Sequence, residues 1–174
     1  MLLDLARLFL FPALMAFAAA SDLLTMTISN RVSLLLITGF FALAIVTGMG
    51  WEAIGWHALA GLSVLMIAFA CFAFGWIGGG DAKVAAATAL WFGFGYLLDY
   101  LLLASVLGGV LTLAILQFRN WTLPTWLLGQ DWLVRLHGKD TGIPYGIALA
   151  AAALLIYPDT DWTRAVDLFQ LAMR

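Results

Sequence analysis

Residues 58–77 read ALAGLSVLMIAFACFAFGWI, twenty positions without a charged side chain, and run straight into Gly78-Gly79-Gly80-Asp81-Ala82-Lys83. A helix of about 20 apolar residues is what the hydrocarbon core of a bilayer demands. Working outward, five more stretches have the same character: 3–21, 32–49, 84–98, 100–118 and 142–157. They are continuously apolar rather than alternating, which argues for helices and against a β-barrel. The expectation is an all-α polytopic membrane protein with six transmembrane helices. Composition agrees, with 64% of the 174 residues hydrophobic and 10% charged, against about 25% charged in an ordinary soluble domain. A soluble enzyme, a nucleic-acid-binding protein and a disordered chain are thereby excluded. The net charge of −2 offers no basic face to nucleic acid. Cys71, the single cysteine, permits neither an internal disulfide nor a cysteine-built zinc site.

Loop charges orient the chain. Arg31, Lys83, Arg119, Arg135 and Lys139 fall in connections that alternate to one side, whereas those around Trp51–His57 and Asp99 carry no Lys or Arg. The positive-inside rule places the first group in the cytoplasm and both termini outside it, although Arg7, Arg164 and Arg174 dilute the bias at the ends. Residues 1–157 then form the six-helix domain and 158–174 a short amphipathic surface tail. In that tail Thr160 or Asp161 would cap a helix whose apolar face is Trp162, Val166, Phe169 and Met173. The fourth and fifth spans, parted only at Asp99, should make a tight hairpin that Asp99 caps. Ala18-Ala19-Ala20-Ser21 resembles a signal cleavage site, but Asp4 beside Arg7 makes a poor charged leader, so the first span reads as an anchor. The 119–141 loop, with Trp121, Trp126 and Trp132, suits the headgroup level.

Two carboxylates stand out. Asp22 closes the first span and Asp81 follows the glycine triplet after the third, so two crossings separate them and both emerge on one face. Ionisable groups at such places mark functional sites by default. Like charges held close do not both ionise, so the pair keeps one proton between them. The ionised partner can then take a proton from water, and the protonated one can donate to a scissile carbonyl oxygen. No metal, cofactor or nucleophilic side chain is needed. Gly78, Gly79 and Gly80 would let a substrate backbone or a facing helix approach Asp81. Each acid alone has a plainer reading, Asp22 as a solvated helix end and Asp81 as a helix N-cap; the same-face pair favours chemistry. Asp99 lies on the opposite face, His57 and His137 are likewise split, and Asp131 and Asp140 sit in a polar loop.

At these residues the sequence resembles the prepilin peptidases, or type IV leader peptidases, which are membrane aspartic proteases. Asp22 is followed six residues later by Ile28-Ser29-Asn30-Arg31, where the family shows Ile-Pro-Asn. Gly78-Gly79-Gly80-Asp81-Ala82-Lys83 follows the family's Gly-x-Gly-Asp with Lys two residues on, and Pro144-Tyr145-Gly146 echoes its Pro-Tyr-Gly segment. Ser29 replaces the usual proline, and the paired Cys-x-x-Cys motifs of the long bifunctional enzymes are lacking. The resemblance is therefore to the short form that accompanies Flp-type, tight-adherence pili, without pilin N-methylation. Presenilin-like enzymes match less well, since their first aspartate lies in a Tyr-Asp pair.

The resemblance implies an inner-membrane endopeptidase that removes prepilin leaders at the cytoplasmic face. Its substrate would carry a basic leader and an apolar helix that stays among the membrane lipids. Asp22 and Asp81 would share the acid and base roles, Gly78 and Gly80 would shape the approach, and Asn30 and Lys83 would support. Two alternatives from other classes are a non-catalytic pilus or secretion assembly protein and a proton-coupled transporter. The transporter reading fits poorly with acids at span ends rather than at mid-membrane.

Overall fold

A computed structural model describes residues 1–127 and 129–166 of the chain. Among them all regular secondary structure is helical. The elements are α1 (Leu2–Thr25), α2 (Asn30–Val46), α3 (Trp51–Ala73), α4 (Gly79–Phe118), α5 (Asp131–His137), α6 (Tyr145–Ile156) and α7 (Asp161–Arg164), with single 3-10 turns at Thr125–Leu127 and Tyr157–Asp159. Helices α1, α3 and α4 are each long and apolar enough to cross a membrane, and α2 and residues 145–159 are shorter apolar helices.

α1 ends in a knot of hydroxyl bonds just past Asp22. Met26 takes a left-handed conformation (φ 55, ψ 27) and its N–H closes onto the Asp22 carbonyl, the usual way of satisfying a last-turn acceptor. Ser21 Oγ donates to the Thr27 carbonyl at 2.9 Å and Thr25 Oγ1 to the Ser21 carbonyl at 2.7 Å. Ser29, the residue that departs from proline, is the N-cap of α2, its Oγ accepting from the Arg31 amide at 3.3 Å.

The hairpin expected at Asp99 turns instead at Gly93. Within α4 this glycine has φ 58 and ψ −171, a region of backbone space essentially reserved for glycine. The Phe92 and Tyr100 rings then meet with centroids 5.4 Å apart. In an unbroken helix eight residues would separate them by about 12 Å along the axis. The chain therefore folds back into two arms, 79–92 and 94–118, and Asp99 sits exposed on a helical turn of the second. An aspartate on an exposed helix face needs no turn, whereas a sharp reversal needs a residue tolerant of positive φ.

The reversal frees carbonyls at the end of the first arm, and side chains satisfy them. His57 Nδ1 donates to the Leu90 carbonyl at 2.8 Å and Trp162 Nε1 to the Trp91 carbonyl at 2.9 Å. The first arm rises only about 21 Å, short of the roughly 30 Å apolar core. Irregular backbone at such depth is tolerated only where protein supplies its hydrogen bonds. Around this end lies the aromatic centre of the fold. Phe11 stacks on Tyr157 at 4.6 Å and tilts against Trp91 at 5.1 Å, and Trp91 meets Trp162 at 5.1 Å.

Over its described part the 158–174 segment is amphipathic, with Asp161 and Arg164 exposed and its apolar face turned into the bundle. Trp162 is 5% exposed and Val166 is buried with it. Thr160 does precede α7 as N-cap, but its hydroxyl donates back to the Tyr157 carbonyl at 2.7 Å. Phe169 and Met173 lie outside the described residues. A tryptophan with its N–H satisfied gains more from an apolar core than from a membrane surface.

Candidate active site

Asp22 occupies the last turn of α1 and is 5% exposed. Its Oδ2 accepts a hydrogen bond of 2.7 Å from the Gly146 amide, at the second position of α6. The first amides of a helix lack partners within it and carry the positive end of its dipole. A carboxylate from a distant helix thus satisfies the N-terminus of α6, and Asp22 is not a solvated helix end. Any side chain there would displace the Asp22 carboxyl or the Ile28 tip. A Cβ on Gly146 would lie 2.8 Å from Asp22 Oδ2 and 2.7 Å from Ile28 Cδ1.

Asp81 is the third residue of α4, half-buried, behind the N-cap Gly78. It is therefore not the cap itself. Its carboxyl folds back along the helix start, where a Cβ on Gly78 would come 2.8 Å from Oδ2. Gly79 faces the Phe72 ring, and Gly80 lies against Ile28, whose Cβ would stand 3.3 Å from a Cβ at position 80. Ile28 thus touches both Gly80 beside Asp81 and Gly146 beside Asp22. Through Ile28 and Gly146 the two carboxyls are brought to a shared edge of α1, α4 and α6. Beside them, Lys83 Nζ donates to Asn30 Oδ1 at 2.8 Å and ties the start of α4 to that of α2.

The other polar candidates go elsewhere. Asp99 is exposed on the second arm, and Asp131 and Asp140 are exposed in the long loop. His57 caps the first arm of α4, and His137 Nε2 bonds the Trp121 carbonyl at 2.8 Å. Arg119, which the loop charges presented as an orientation marker, is 8% exposed and clamps that loop shut. It donates to the carbonyls of Leu136, Thr141 and Gly142 at 3.0, 3.0 and 2.8 Å.

The type IV leader peptidase family model matches residues 9–113, a stretch that holds both Asp22 and Asp81. The chain belongs to the type IV leader peptidase family. No curated protein and no solved structure matches it. As a leader peptidase it is a membrane-embedded hydrolase of the type IV pilus setting, with prepilins as substrates. The matched stretch stops short of Gly146, so it does not cover the partner that the geometry gives Asp22 in this leader peptidase. Its sequence signal was the Pro144-Tyr145-Gly146 opening of the last apolar run. Ile28 was marked only as the first residue of the Ile28-Ser29-Asn30-Arg31 stretch, and Tyr100 had no signal. Tyr100, on the second arm, is fully buried with its hydroxyl unpartnered among the described residues.

Proposed function

We propose that Asp22 and Asp81 are the catalytic pair of an aspartic endopeptidase that cuts the leader from Flp-type prepilins at the cytoplasmic face of the inner membrane. The observation that carries the reading is the convergence of two sheltered carboxylates from α1 and α4 at one edge of the bundle. One carboxylate takes a proton from a water molecule as its oxygen attacks the scissile carbonyl carbon. The other, protonated, donates to the carbonyl oxygen as the tetrahedral adduct forms. Collapse of the adduct breaks the C–N bond, with a proton delivered to the leaving amine. The Gly146 amide orients Asp22, Gly78 and Gly80 leave room at Asp81, and the Asn30–Lys83 bond fixes the mouth.

Six crossings are formed by α1, α2, α3, the two arms of α4, and α6, with both termini outside the cytoplasm. The Asp22–Gly146 bond supports an even number of crossings between the end of α1 and the start of α6, because it needs both on one face. The 119–141 loop then lies on the cytoplasmic side with the site. Residues 1–157 make the peptidase domain, and the described part of 158–174 is packed into it.

The test is a gel-shift cleavage assay on a co-expressed Flp-type prepilin, with wild type, Asp22→Asn, Asp81→Asn and Asp99→Asn at matched expression. Both site variants should abolish cleavage while Asp99→Asn cuts normally. Cleavage by either site variant would reject the aspartic mechanism.

A further inference from the structure

Helix α3 ends in a rigid turn. Gly75 is left-handed (φ 75), its N–H bonds the Phe72 carbonyl at 2.9 Å, and the Trp76 N–H reaches back to the Cys71 carbonyl at 3.0 Å. Such paired bonds around a left-handed glycine close a helix C-terminus and fix the backbone as far as Trp76. The turn stacks the Phe74 and Trp76 rings, with centroids 5.3 Å apart and planes at 28°. Both residues are 72% exposed. They follow directly on Phe69 and Phe72, exposed aromatic residues in the last turns of α3 whose rings also meet. The buried tryptophans of the core satisfy their N–H groups internally: Trp91 donates to the Leu36 carbonyl and Trp162 to the Trp91 carbonyl, each at 2.9 Å. Trp76 finds no acceptor among the described residues. Charge does not hold this connection either. Residues 74–80 read FGWIGGG, and the next cation, Lys83, is committed to Asn30.

We propose that the stacked Phe74–Trp76 pair is an interfacial anchor, seated among the glycerol and carbonyl groups of the bilayer lipids, that fixes the height of the Asp81 loop at the membrane edge. The pair lies one and three residues beyond Ala73, the end of a helix long and apolar enough to cross a membrane. Water would leave both rings bare, and the hydrocarbon core would leave the indole N–H without an acceptor. The headgroup boundary supplies an apolar bed and an acceptor together, which is why tryptophan collects there. The anchor is tied to the acid by a short, closed connection. Gly79 lies against the Phe72 ring, whose Cε2 would be 3.2 Å from a Cβ there, and a Cβ on Gly78 would be 2.8 Å from Asp81 Oδ2. A shift of the rings is therefore passed to the start of α4 rather than absorbed by a slack loop. The lipid contact stands without the peptidase reading; its effect on cleavage rests on that reading.

The test reconstitutes the full chain in phosphatidylcholine vesicles and reads Trp76 as the fluorescence difference between wild type and Trp76→Phe. The lipids carry bromine either near the glycerol or near the chain ends, and iodide is added to the water in a third set. Bromine near the glycerol should quench the difference signal about twofold more than bromine near the chain ends, as for a ring held at headgroup level, with iodide quenching weak. In the same vesicles, Phe74→Ser combined with Trp76→Ser should slow cleavage of a Flp-type prepilin about tenfold, well under the cost of misplacing a reacting group by about 1 Å. Phe74→Trp combined with Trp76→Tyr, which exchanges one interfacial aromatic pair for another, should restore the rate. Neither double variant should change thermal unfolding in detergent. Iodide quenching as strong as for free indole, bromine quenching strongest near the chain ends, shelter from all three quenchers (a protein covering the rings), or full cleavage by the serine pair overturns the anchor and leaves the peptidase reading intact. A wild type that cuts no prepilin overturns the peptidase reading, and the quenching then decides the anchor alone.

Discussion

The imidazole of His57 closes the helix that ends at Gly93, donating from Nδ1 to the Leu90 carbonyl at 2.8 Å. Removing it strands a carbonyl in apolar surroundings, at about 1–3 kcal/mol. Gly93→Ala should cost at least as much, since it combines positive φ with a Cβ only 3.0 Å from His57 Cε1. Thermal unfolding in detergent should show both His57→Ala and Gly93→Ala lowered and Asp99→Ala near wild type. A larger loss for Asp99→Ala than for Gly93→Ala would move the turn back to Asp99.

Gly146→Ala should spare the fold more than the activity. The new methyl would press on Asp22 Oδ2 at 2.8 Å, and a misplacement on the scale of 1 Å costs about 100-fold in rate. Gly109→Ala is the control, because nothing lies within 4 Å of a Cβ there. Equal cleavage rates for the two variants would remove Gly146 from the site.

A pair that keeps one proton has a definite pH signature. At low pH both carboxyls are protonated and no base remains; at high pH both are ionised and no acid remains. Cleavage in membranes should therefore follow a bell-shaped profile, with both limbs belonging to the pair rather than to either residue. A rate that climbs to a plateau with rising pH would indicate a single base.

Tyr100→Phe should leave stability unchanged or raise it by about 1 kcal/mol, since the hydroxyl lost is buried without a partner among the described residues. Calorimetry or a thermal-shift assay on the purified chain reads this directly. A marked loss would reveal a hydrogen bond between the Tyr100 hydroxyl and the Thr88 hydroxyl beside it.

Arg119→Met removes the donors that hold the 119–141 loop to its own carbonyls. Tryptic cleavage after Arg135 or Lys139 should accelerate about tenfold, the effect of roughly 1.4 kcal/mol on local opening. Unchanged proteolysis would mean that the loop is held by something other than this clamp.

Much of the architecture was legible in the sequence because hydropathy is a bulk property. The apolar runs show the helices, and counting crossings between Asp22 and Asp81 puts the two acids on one face. What stayed hidden depends on single side chains meeting across the fold. The turn was assigned to Asp99 because a charge stands out in an apolar run and Gly93 does not. Arg119 and His57 looked like loop residues, since a partner carbonyl carries no mark in sequence. Trp162 was legible as an apolar-face residue, but its N–H acceptor, the Trp91 carbonyl 71 residues away, was not.

The bond between Gly146 and Asp22 spans 124 residues, and that separation orders events during synthesis. Asp22 and Asp81 are both made and inserted well before α6 leaves the ribosome. Until then the first acid lacks the amide that aims it, so a half-made chain carries both carboxyls but not the arrangement. On the catalytic reading proposed above, competence to cut arrives with α6, and a product terminated before it should remain inert.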